Sequence, residues 1–134
     1  MIRNKIVVRY QDGRILKGYT VDFLPTRPTF HLTLIDAPQD AKLLVIRIEE
    51  VKAIFFVKDY KGNPERKKLQ KFPDGKPNIG RKVRVTFNDG ETLVGTTQGY
   101  DATRPGFFVV PADSGSNNER CFVVGRATTQ VSFL

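Results

Sequence analysis

Asp12-Gly13-Arg14-Ile15-Leu16-Lys17-Gly18-Tyr19-Thr20 is answered 77 residues later by Asp89-Gly90-Glu91-Thr92-Leu93-Val94-Gly95-Thr96-Thr97. Each stretch opens on an aspartate-glycine pair, a hairpin signal because glycine supplies the positive φ of the tight turn. Each continues as a strand broken by one glycine, Gly18 or Gly95, which marks a bulge or a sharp bend. Working outward, the same offset aligns residues 2–57 with 79–134 without a gap. Lys5/Lys82, Val8/Val85 and Phe56/Phe133 are identical, and the longest identical run is Thr26-Arg27-Pro28 against Thr103-Arg104-Pro105, followed by Phe30/Phe107. Ile6/Val83, Tyr10/Phe87, Phe23/Tyr100, Leu32/Val109 and Ile46/Val123 are apolar on both sides. We therefore expect two copies of one small unit, residues 1–57 and 79–134, joined by a linker at 58–78.

The strand pattern within a unit is the same in both. Alternating and β-branched residues predict strands at 5–10, 14–23, 29–35, 43–48 and 51–57, then at 82–87, 91–100, 107–110, 120–124 and 128–134. Two prolines make 25–28 a loop. Five short strands with the second one bent predict an all-β fold of two tandem five-stranded small barrels of the SH3-like or Sm-like type. A unit of roughly 60 residues buries too little surface to be stable alone, so the two should share an interface or oligomerise. In the linker, Asn63-Pro64-Glu65 has the form of a helix start, and the basic run after it reads equally as an extended loop.

Composition limits the function. The chain has 134 residues, 40% hydrophobic and 27% charged, which is globular rather than disordered. No apolar run approaches the ~18–20 residues of a membrane span. The single cysteine, Cys121, has no partner for a disulfide or a zinc site. With no signal-peptide pattern at the N-terminus, a reducing, cytoplasmic location is expected. No phosphate loop, metal-binding helix motif or nucleophile elbow is present, so neither enzyme activity nor a cofactor is expected. His31 reads as a structural or surface histidine, and Cys121 as a small core hydrophobe.

The net charge is +8, and half of that excess falls in residues 58–78. Arg66, Lys67, Lys68 and Lys71 are the densest cluster, and Arg81 and Lys82 continue it into the second unit. Such a run is either a footprint for a phosphate backbone or a solvated basic spacer. Arg27 and Arg104 sit on equivalent loops. They either offer planar donors to phosphate or fix the loop through backbone carbonyls.

Gly95-Thr96-Thr97-Gln98-Gly99-Tyr100-Asp101, preceded by Asn88-Asp89-Gly90, resembles the first motif of the Sm and Sm-like proteins, a hairpin followed by a glycine-bent strand ending in aromatic-aspartate. Ile46-Arg47 before Val51 is similar to their second motif. The resemblance spans both units and implies the bent five-stranded barrel, RNA as partner, and pairing of free edge strands four and five between subunits. Three chains would then complete a six-unit ring. The departures are specific. Neither loop 26–29 nor loop 103–106 carries the family's base-binding asparagine, and Ile48 stands where that motif has glycine. The uridine chemistry therefore does not carry over. The arm and strand of the PilZ domain, another small basic barrel, are not found in order. The leading expectation is RNA binding by Arg27, Arg104, Arg66, Lys67, Lys68, Lys71, Arg81 and Lys82. The alternative is a protein-interaction adaptor, or a second-messenger effector with PilZ-like logic.

Overall fold

Strand β1 (Asn4–Tyr10) alternates so that Ile6, Val8 and Tyr10 turn inward and are buried. Its hairpin to β2 (Ile15–Thr20) closes on Gly13 at φ 97°, with the Gly13 amide donating to the Tyr10 carbonyl at 3.1 Å. The computed structural model describes residues 3–35, 43–60, 80–112 and 117–134. The expected linker helix and the cluster Arg66, Lys67, Lys68 and Lys71 lie outside the described residues.

The first half continues with β3 (Thr29–Leu34), β4 (Leu44–Arg47), a 3-10 turn at Ile48–Glu50, and β5 (Val51–Val57). The second half repeats that order with β6 (Arg81–Phe87), β7 (Thr92–Thr97), β8 (Gly106–Pro111), β9 (Asn118–Val124), a 3-10 turn at Gly125–Ala127, and β10 (Thr128–Phe133). Gly90 repeats the turn of Gly13 at φ 90°. Asp12 and Asp89 each accept the amide two residues ahead, at 3.0 and 2.9 Å, so both aspartates are turn formers.

The second strand of each half is shorter than its β-branched pattern suggests, because it ends at Thr20 and Thr97. The Thr20 hydroxyl bonds the Asp22 carboxylate at 3.1 Å, and the Thr97 hydroxyl donates to the Phe108 carbonyl at 2.7 Å. The glycines inside these strands let β3 and β8 come close. A Cβ on Gly18 would lie 2.1 Å from the Thr33 carbonyl oxygen, and one on Gly95 would lie 2.1 Å from that of Val110.

The fold is all-β, and its ten strands form a single antiparallel sheet in the order β10-β6-β7-β8-β9-β5-β1-β2-β3-β4. The joint is β5 against β9, with Ala53 opposite Val123, Ile54 opposite Phe122 and Phe55 opposite Cys121. Two hydrophobic cores lie on opposite faces of this joint. Ile54, Phe56, Phe122 and Val124 serve the core of the first half, while Ala53, Phe55, Cys121 and Val123 serve that of the second. Every residue of β5 is buried. The physical reason is size: each half alone has too small an interior, and sharing two strands lets each side chain of the joint enter a core.

Candidate functional site

Antiparallel pairing of β5 with β9 sets the start of β5 beside the end of β9. The two 3-10 turns therefore meet at one end of the joint. Each turn is tied to the proline loop of its own half: the Ile48 amide donates to the Pro28 carbonyl, and the Gly125 amide to the Pro105 carbonyl, both at 2.9 Å. Two loops and two turns thus enclose an open groove of about 630 Å³. Arg47, Arg104 and Arg126 line it, with Glu49 as its acidic residue and Pro28, Pro105 and Val45 as apolar walls. Arg126 lies 3.8 Å from Glu49, and both are largely exposed. That weak pair leaves the groove with an excess of guanidinium groups, each a planar fork of donors for carboxylate or phosphate.

Arg104 also borders a second depression of about 410 Å³, with Phe107, Phe108, Arg120 and Gln98. The Arg120 guanidinium stacks on two rings there, 4.3 Å from Phe56 and 4.7 Å from Phe108. A chain lying from one depression to the other would meet cations throughout and aromatic surface at one end.

The loop carrying Arg104 is held by Asp101. Its carboxylate accepts the Thr103 hydroxyl at 2.7 Å and the Thr103 amide at 2.9 Å, with the Arg104 guanidinium 3.6 Å away. The Thr103 hydrogen bond is the main reason that the Asp101 carboxyl lies below its ordinary range. Arg104 is therefore presented on a built loop. Arg27 is exposed on the equivalent loop, but it does not line the groove, although its neighbours Pro28 and Thr29 do. Arg81 lies elsewhere, its guanidinium 3.9 Å over the Phe133 ring. Lys82 is the second residue of β6, and its carbonyl accepts the Leu134 amide. Of the arginines and lysines expected to act, the groove thus gathers Arg104. It adds Arg47, known only as a motif residue, and Arg126, which sequence reading missed. One signal was available: positions 49 and 126 are equivalent in the repeat, yet carry opposite charge.

A second cluster ties the halves together at the same end of the sheet. Lys52, only 4% exposed, reaches Asp89 at 2.7 Å and Glu91 at 3.2 Å, and Arg9 binds Glu91 at 2.8 Å. The Lys52 hydrogen bond holds the Asp89 carboxyl below its ordinary value. Burial works to raise Glu91, but the bonds from Arg9 and Lys52 outweigh it, and the net direction is down. His31 is exposed, with Nδ1 2.5 Å from the Asp22 carboxylate, and its amide donates to the other oxygen of that group at 3.0 Å. Burial raises Asp22, and the His31 and Thr20 hydrogen bonds reverse it to a net lowering. The pair pins the chain after β2 against β3. Among the described residues no group of three or more His, Cys, Asp or Glu could hold a metal ion.

The profile of DUF6982, a family of unknown function, matches residues 2–134. The chain belongs to DUF6982. No curated protein and no solved structure matches it. Among the described residues of this DUF6982 chain, no helix is long and apolar enough to cross a membrane.

Proposed function

We propose that this chain is a non-enzymatic binding module for single-stranded nucleic acid, RNA in the first instance, and that the groove between the two proline loops is its binding face. The observation that carries the reading is the convergence of Arg47, Arg104 and Arg126 on one groove built by both halves. Phosphates would pair with the guanidinium forks, and a base would stack at the half-buried Phe108 beside Arg120. The net charge of +8 supplies long-range attraction to a polyanion. The bent strand order of each half also supports an Sm-like ancestry, and the two tandem small barrels remain part of this proposal. The groove then lies where the proline loop and the turn before the last strand come together.

Fluorescence polarisation with labelled single-stranded RNA, titrated across salt, tests the reading. We expect affinity to fall steeply with salt. Arg47→Ala with Arg104→Ala and Arg126→Ala should weaken binding about 10–1,000-fold and flatten the salt slope by up to about 2–3, near 0.7 per phosphate contact. Equal binding by the triple variant would retire the groove. Binding that then disappears on changing Arg66, Lys67, Lys68 and Lys71 to Ala would move the site to the linker.

A further inference from the structure

The two 3-10 turns at the groove are built alike and carry opposite chemistry. Gln11 and Asn88, equivalent in the repeat, hold them. The Gln11 backbone amide donates to the Glu50 carbonyl at 3.0 Å, and its side chain donates to the carbonyls of Glu49 and Val51 at 2.9 and 3.2 Å. The Asn88 backbone amide donates to the Ala127 carbonyl at 2.9 Å, and its side chain to that of Arg126 at 3.1 Å. The backbone is thus fixed at both places. Glu49 and Arg126 line the groove from equivalent points of the two halves.

An acid in this place opposes a polyanion, and Glu49 is not what ties the turns together. Its 3.8 Å pair with Arg126 is exposed, and such pairs add little to stability. What a carboxylate adds to Arg47, Arg104 and Arg126 is hydrogen-bond acceptors. Arginine only donates, and an ionised carboxylate only accepts, through two neighbouring oxygens. Single-stranded RNA exposes the Watson–Crick edges of its bases. Guanine offers two adjacent donors there, N1–H and N2–H, followed by the acceptor O6. Adenine and cytosine set an amino donor beside a ring-nitrogen acceptor, and uracil has one imino donor between two carbonyls. Of the four, only guanine gives both carboxylate oxygens a donor and leaves an acceptor for a guanidinium alongside.

We propose that Glu49 makes the groove selective for guanine, its carboxylate taking N1–H and N2–H while Arg126 donates to O6. The inference rests on the nucleic-acid reading of the groove and names the base that it takes. Pro28 and Pro105 offer apolar surface to the plane of the ring, and Arg47 and Arg104 serve the flanking phosphates. Acceptor and donor already stand side by side in the free chain, so little ordering is left for the base to bring about.

Uridine tracts carrying one central guanosine, adenosine, cytidine or inosine, compared by fluorescence polarisation at fixed salt with the all-uridine strand, test this. We expect the guanosine strand to bind about 5–150-fold more tightly than the adenosine, cytidine and all-uridine strands, the range of one bidentate base contact. Inosine keeps N1–H and O6 but lacks the N2 amino group, and should fall between. Glu49→Gln should bring the guanosine strand to the level of the others without weakening the all-uridine strand. Its melting temperature should be unchanged, because the side chain is exposed. Glu50→Gln removes the same charge from the same turn outside the groove, and should keep the preference. Equal binding of all the strands by the unaltered chain would overturn the guanine reading and leave the nucleic-acid reading standing, whereas no binding of any strand would remove both. A preference that survives Glu49→Gln would overturn the role of Glu49.

Discussion

Lys52 shows how one side chain can bind two halves together. Its ammonium is buried beside the Phe87 ring and reaches the two acidic residues of the opposite hairpin. A buried cation without counter-charge is expensive, so changing Asp89→Asn with Glu91→Gln should cost about 1–3 kcal/mol in chemical denaturation. Lys52→Met, which removes the charge and keeps the volume, should be near neutral. The sign with pH follows from the carboxylates. Both titrate below their ordinary values of 3.8 and 4.5 in the folded chain. Their contribution is therefore full above the ordinary values, and is lost as pH falls through the lowered ones. The acid unfolding midpoint should move up in the double variant; an unmoved midpoint would show that the cluster is not what gives way. Gly18 and Gly95 set a second residue-scale limit. Either glycine changed to Ala drives a Cβ into a carbonyl oxygen of the next strand, and we expect about 1–3 kcal/mol lost in each case. Equal stability would mean that the strands part without penalty.

At the scale of the element, β5 and β9 decide the architecture. A strand that faces water on one side alternates apolar and polar residues, as β1 and β6 do. Val51-Lys52-Ala53-Ile54-Phe55-Phe56-Val57 does not alternate, and all of it is buried because each face meets a different core. Phe122 makes the consequence testable. It belongs to the second half by sequence and to the first by packing. Phe122→Ala should cost about 3–5 kcal/mol, and its largest chemical-shift changes should appear at Phe23, Phe56 and Phe108. Changes confined to β6, β7 and β10 would contradict the shared core.

The whole molecule should behave as one cooperative unit although it is built from two similar ones. Residues 1–57 alone would expose the β5 edge and lose Phe122 and Val124 from their core. We expect that fragment to remain unfolded, and the full chain to melt in one transition by circular dichroism and by calorimetry. Two resolved transitions would show that the joint is incidental. At this scale the limits of sequence reading are plain. The hairpins at Gly13 and Gly90, the bends at Gly18 and Gly95 and the ten strands were legible, because each rests on backbone preference and local alternation within a few residues. Arg104 was legible as a repeated loop residue. Arg126 and Lys52 were not, since neither belongs to a motif and each gains meaning only from a partner on the other half.

The sequence by itself determined a repeated all-β chain, its turns, and the positive charge that would draw it to a polyanion. Those properties are local or additive, and are carried by residue type and spacing. Only the tertiary structure decided that the fifth strand of one half pairs with the fourth strand of the other. That choice is made by which buried faces fit together across a separation of more than sixty residues, with Ile54 opposite Phe122 at its centre. The groove of Arg47, Arg104 and Arg126 follows from it, because antiparallel pairing of those two strands is what brings the two turns and their loops to one end.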